Sequence, residues 1–359
     1  MSKYLSGRFV GMAAYVPGEQ PQDRSYIKLN TNESPFPPSP AVLAALSESE
    51  ARMLNLYPDP DAREACETIA ARFGLQPGNV ILGNGSDELL AFCFQAYCDA
   101  LTPAVYADIT YGFYSVFARV NCIDSVVLPL DDSFQVNASD YFDAPGAVFI
   151  ANPNSPTGCA LAADEIEEIV SHNPNNAVII DEAYEAFGAQ SAIPLIKRYN
   201  NLIVIQTMSK SKNLAGARLA YALADSGLIG DLQSMRCSFN PYNVNRLSLL
   251  AATAAIKDAD YYDACVEKII KTREHTVLEL RDRGFFVLPS KTNFIFAKPG
   301  FISGGAYYGG LKERGVLVRH FRQRRVDGFV RITIGDDSQM RALLSATDDM
   351  MKIKMQNGN

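Results

Sequence analysis

Short apolar runs separated by helical patterns dominate the first two thirds of the chain. Val80-Ile-Leu, Ala104-Val-Tyr, Ser125-Val-Val-Leu, Ala147-Val-Phe-Ile, Ala177-Val-Ile-Ile and Leu202-Ile-Val-Ile each read as a buried strand. Their alternation with helical stretches predicts an α/β fold, a large mostly parallel sheet with helices on both faces. Around Asp258 the pattern changes to one long helical stretch, Tyr261 to Arg283. Strand patterns follow over 285–288, 293–297, 316–319 and 330–334, interleaved with helices over 304–314 and 337–352. Fewer, more separated strands predict a smaller C-terminal α+β domain. The segment up to Pro40 has prolines at 35, 37, 38 and 40, which forbid helix and regular sheet there, so it reads as an ordered arm lying on another surface. The expected partition is an arm over 1–40, a large domain over 41–258 and a small domain over 259–359 that part of the arm joins. Met355 to Asn359 is expected to fray.

Composition narrows the function classes. At roughly 150 residues per domain, 359 residues suit one large domain and one smaller one. A chain that is 48% hydrophobic and 20% charged is an ordinary globular protein, not a disordered, collagen-like or coiled-coil one. With 33 basic and 40 acidic residues the net charge of −7 repels nucleic acid and anionic membranes, so neither is an expected partner. No apolar stretch approaches the eighteen or so residues that cross a bilayer, and Met1 to Gln20 lacks the apolar core of a signal peptide, so the expected location is the cytoplasm. The seven cysteines are scattered without a Cys-x-x-Cys pair, and the three histidines, His172, His275 and His320, lie far apart. Neither a disulfide framework nor a metal site is expected, and a proton carrier would be something other than histidine.

In an open α/β sheet, ligands collect at the carboxyl ends of the strands. After Leu82 comes Gly83-Asn-Gly-Ser-Asp87 and then a helical run. Backbone N–H groups at such a helix start suit a phosphate, though a plain capped turn gives the same pattern. After Ala151 comes Asn152-Pro-Asn-Ser-Pro-Thr-Gly158, and after Ile180 comes Asp181-Glu-Ala-Tyr184. A carboxylate at a buried strand end needs a cationic or protonated partner, unless it only caps the next helix. The fourth strand end reads Thr207-Met-Ser-Lys210-Ser-Lys-Asn-Leu-Ala-Gly-Ala-Arg218. Lysine in such an apolar, small-residue setting loses its proton easily and can form a Schiff base. Lys212, two residues on, reads as a solvated surface lysine.

Together, Asn152 to Gly158, Asp181 to Tyr184, and Ser209-Lys210 with Arg218 eight residues later resemble the ordered signature of fold type I aminotransferases that use pyridoxal 5′-phosphate. Tyr15-Val-Pro-Gly18, Leu29-Asn-Thr-Asn-Glu33, Tyr57-Pro-Asp-Pro60, Tyr111-Gly112, Val318-Arg319-His-Phe321 and Val330-Arg-Ile-Thr-Ile-Gly335 are similar to the histidinol-phosphate aminotransferase family in particular. The resemblance implies that Lys210 holds the cofactor and shuttles the substrate proton, that Asp181 pairs with the pyridine nitrogen, and that Tyr184 donates to the ring 3′-oxygen. It places the cofactor phosphate on Gly85, Ser86 and Asp87 with Ser209, Arg218 and Tyr57, the last from a second subunit, and so implies a homodimer. Tyr111 would stack on the ring. Relatives commonly carry Asn where this chain has Ser155, so either Ser155 or Asn154 is expected to meet the 3′-oxygen. Arg331 would grip the anion of both substrates, with Arg319 and Tyr15 on the phosphate ester, while Arg322, Arg324 and Arg325 read as a solvated loop. The implied partners are small molecules, a phosphorylated amino alcohol and glutamate or 2-oxoglutarate. A threonine-phosphate decarboxylase, an aromatic amino-acid aminotransferase and a non-catalytic regulator remain the alternatives.

Overall fold

The computed structural model describes residues 2–12 and 18–357. In chain order the strands are β1 (Ile27–Lys28), β2 (Val80–Gly83), β3 (Ala104–Ala107), β4 (Ser125–Leu128), β5 (Ala147–Ala151), β6 (Val178–Asp181), β7 (Leu202–Thr207), β8 (Ala220–Ala224), β9 (Phe286–Val287), β10 (Phe294–Lys298), β11 (Val316–Leu317), β12 (Arg319–His320) and β13 (Val330–Thr333). Seven of them form one sheet in the order β2-β8-β7-β6-β5-β3-β4, in which only β8 runs against the rest. Strands β5 to β7 are buried on both faces, which is why they read as unbroken apolar runs. Alternate side chains separate the two faces: Leu202 and Val204 enter one apolar cluster, Ile203 and Ile205 the other.

A second, antiparallel sheet has the order β12-β13-β10-β9. The run 316–319, expected as one strand, splits at Val318. β11 pairs in parallel with β1 of the arm, while β12 turns to pair with β13. The 24-residue helix Ala259–Asp282 links the two sheets: its Tyr262 packs in the core of the large sheet, and Val266, Ile269 and Leu280 pack in that of the small one. Buried Arg273 on the same helix donates to the carbonyls of Phe187 and Thr292 at 2.9 and 2.8 Å. The last helix, Asp337–Asn357, continues through residues expected to fray, because no helix breaker precedes Gly358.

Candidate active site

A cavity of about 640 Å³ opens at the carboxyl ends of β5, β6 and β7 and is faced from the small sheet by Arg319 and Arg331. At one end lies the start of the helix Ser86–Tyr97. Gly85 precedes it at φ +89, a backbone that strains any residue with a Cβ, and the Arg218 guanidinium packs directly against it. Arg218, itself left-handed at φ +52, points its guanidinium toward Asp87 across 3.7 Å. Ser86 and Ser209 line the same end. Ser209 is set by Thr207, whose hydroxyl donates to Ser209 Oγ at 2.9 Å and accepts its N–H at 3.2 Å. Helix amides, two hydroxyls and a guanidinium make an anion site.

Lys210 follows directly, its ammonium donating to the Thr31 carbonyl at 3.2 Å. Burial and then the nearby charge of Arg331 pull it down to about 8, so a neutral amine is within reach near neutral pH. Asp181 ends β6 at 5% exposure, accepting the Ala183 N–H at 3.2 Å and the Tyr114 hydroxyl at 3.3 Å. Burial pushes its carboxyl up to about 7, with a smaller contribution from Asp87. No lysine or arginine among the described residues forms an ion pair with it. The side-chain donor it does have, Tyr114, escaped the sequence reading; the one hint was its place three residues after Tyr111. Tyr111 lines the cavity and donates to Asp87 Oδ1 at 2.6 Å. Tyr184 stands edge-on to Phe294 and accepts a hydrogen bond from Asn32 Nδ2 at 2.8 Å.

Arg319 and Arg331 are direct partners across the β12–β13 ladder. Arg331 donates to Ser155 Oγ and to the Asn30 carbonyl, each at 3.1 Å, over the rings of Phe294 and Phe321.

Several expectations need correction or lie elsewhere. Asn154 does not line the cavity: its amide donates to the Ile109 carbonyl at 2.9 Å and Thr157 Oγ1 at 3.1 Å and accepts from Thr110 at 2.7 Å, leaving Ser155 as the residue that faces inward. Tyr57 is 77% exposed, stacked on Tyr242 and outside the cavity of its own chain. Tyr15 lies outside the described residues. Arg325 is not a solvated loop residue; it pairs with Asp108 at 3.0 Å, donates to the carbonyls of Leu130 and Asp131, and covers the Phe134 ring, so it clasps the 321–329 loop to the large sheet. Arg322 and Arg324 are exposed as expected. Lys212 is half-buried beside the Tyr262 ring, with burial lowering its pKa, because the long helix packs over it.

Comparison with known proteins gives the same direction. A family model described as aminotransferase class I and II matches residues 24–346. A histidinol-phosphate aminotransferase of Brachyspira hyodysenteriae is 47% identical over 341 residues, covering 95% of this chain and 96% of the relative. The crystal structure of histidinol-phosphate aminotransferase from Sinorhizobium meliloti in complex with pyridoxal-5′-phosphate shares the fold, with a TM-score of 0.86 over 98% of each chain at 24% identity. So does L-threonine-O-3-phosphate decarboxylase from Porphyromonas gingivalis, at a TM-score of 0.77 and 20% identity over 90% of this chain and 99% of that one. The fold alone therefore does not separate the two chemistries. The family model and the identity to a relative of matching length do decide the family, and this chain belongs to the class I and II aminotransferases.

Proposed function

We propose that this aminotransferase exchanges the amino group between histidinol phosphate and 2-oxoglutarate, with pyridoxal 5′-phosphate as cofactor, as a cytoplasmic homodimer. The observation that carries the substrate assignment is the pair Arg319 and Arg331, directly opposite each other on one ladder and both facing the cavity. Like charges opposite each other on neighbouring strands repel, and a dianionic phosphate ester between them offsets that repulsion better than a carboxylate does.

The cavity residues fit the cofactor. Asp181 is a buried carboxyl group that pairs with no lysine or arginine among the described residues, which suits a protonated pyridine nitrogen. The turn at Gly85, held at φ +89 and leading into the helix that starts at Ser86, suits a phosphate brought close to Ser86, Ser209 and Arg218. When bound, pyridoxal phosphate supplies a ring that takes up the electron pair left as the substrate α-carbon loses its proton. Lys210 Nζ, its pKa lowered to about 8 by burial, would accept that proton in its neutral form and return it. Tyr111 would cover one face of the ring, Tyr184 would donate to its 3′-oxygen, and Ser155 would stand in for the Asn of relatives. Arg331 would hold the carboxylate of the amino donor as well. The segment before β2 leaves Leu43, Met53, Leu54, Leu56 and Tyr57 exposed, a surface suited to a second copy whose phosphate site would receive Tyr57. All seven cysteines are unpaired thiols, which suits a reducing compartment.

The test is single-turnover kinetics of each half-reaction. A charge-assisted hydrogen bond contributes roughly 1.5–3 kcal/mol, so Arg319→Ala should cost about tenfold to a hundredfold with histidinol phosphate and clearly less with glutamate. Arg331→Ala should damage both. Equal losses in Arg319→Ala, or a wild type that does not prefer the phosphorylated substrate, would overturn the assignment, and release of carbon dioxide would make the protein a decarboxylase.

A further inference from the structure

Asn32 belongs to the stretch Leu29 to Glu33, to which the proposed reaction gives no task. It is 1% exposed and sits at φ +56, a left-handed backbone that asparagine tolerates better than most residues. It joins three separate parts of the chain. Its N–H donates to Thr333 Oγ1 at 3.0 Å, and its carbonyl accepts from Asn293 Nδ2 at 3.0 Å. Its side-chain Oδ1 accepts from Thr333 Oγ1 at 3.1 Å, and its Nδ2 donates to Tyr184 Oη at 2.8 Å.

Proton counting decides which way this chain of hydrogen bonds runs. Thr333 is 2% exposed, and its hydroxyl already receives the Asn32 N–H. If the amide were reversed, Thr333 would face the Nδ2 hydrogens, and its own proton would have no acceptor among the described residues in a buried place, which is costly. With the oxygen toward Thr333, the Thr333 proton has its acceptor. The NH2 end then faces Tyr184 and occupies a lone pair of its hydroxyl. What Tyr184 presents to an acceptor in the cavity is its O–H. In the reversed orientation Tyr184 would spend that proton on Asn32.

We propose that Asn32, itself set by Thr333, is a positioning residue that makes Tyr184 a hydrogen-bond donor toward the ring oxygen of the bound cofactor. The inference rests on the cofactor reading above. It also means that the arm must lie across β13 before the cofactor site is complete, because Thr333 belongs to that strand and Asn32 to the arm.

The experiment titrates pyridoxal phosphate into the apo-protein and follows the pH midpoint of the bound cofactor's visible absorbance. Thr333→Val keeps the shape of the side chain and removes the hydroxyl; Asn32→Gly keeps the left-handed backbone and removes the amide. Each should raise the dissociation constant about five- to tenfold and move the pH midpoint, since one hydrogen bond is at stake. Thr333→Ser, which keeps the hydroxyl, should match the wild type. In a Tyr184→Phe background, Asn32→Gly should add less than about twofold, because the group it orients is gone. An undiminished loss in that background would reduce Asn32 to a packing residue and overturn the proposal, as would wild-type affinity and midpoint in both single variants. Should Thr333→Val fail to fold, the Asn32→Gly cycle decides alone. A wild-type protein that does not bind pyridoxal phosphate would overturn the cofactor reading, and with it this inference.

Discussion

Asp181 is a group that the fold holds at a disadvantage. Its folded pKa of about 7 lies above the ordinary 3.8. Between those values the unfolded chain has lost the proton while the folded chain keeps it, so the stability of the apo-protein falls as pH rises from about 4 to 7. Asp181→Asn removes that penalty. The melting temperature of the apo variant should gain on the wild type from pH 5 to about pH 7 and level off above it, while its affinity for pyridoxal phosphate drops. Parallel melting curves across that range would show that Asp181 carries no such cost. Asp181, Tyr184 and Lys210 were legible because each lies within a few residues of the end of an apolar run, where the strand-end rule says to look. Tyr114, Asn32 and Arg325 were not, because what they do depends on Asp181, Tyr184 and Asp108, separated from them by 67, 152 and 217 positions. A tyrosine, an asparagine or an arginine read alone in sequence gives no sign of such a partner.

The elements separate in the same way. Strands β5, β6 and β7 announce themselves through branched apolar residues, whereas β8 reads Ala-Tyr-Ala-Leu-Ala, a composition that favours helix. Pairing with β2 and β7 along both edges overrides that preference. The split of 316–319 was equally hidden. Alternation gives a strand but not its neighbour, and here successive residues serve two different partners, the arm on one side and β13 on the other. The turn at Asn152 to Gly158 was placed correctly, yet which of Asn154 and Ser155 faces the cavity depends on carbonyls and hydroxyls at Ile109, Thr110 and Thr157 that the motif does not display.

For the whole molecule, the exposed Tyr57 makes the proposed assembly testable by complementation. Tyr57→Phe chains should retain cofactor poorly and Lys210→Ala chains should be inactive. A mixed dimer pairs one intact Lys210 with Tyr57 from the other copy and should recover up to roughly half the wild-type activity. No recovery after verified subunit exchange would remove the shared site. The helix Ala259–Asp282 has a further consequence. It is one rod whose Tyr262 is embedded in the first core and whose Ile269 and Leu280 are embedded in the second, with Arg273 pinning its middle to carbonyls on both sides. Pulling either core apart strips apolar cover from the same rod, so neither sheet can melt in isolation. Heating the apo-protein should register as a single calorimetric peak whose heat matches its sharpness, and a resolved second peak would mean that the rod breaks near Val266 before the larger sheet lets go.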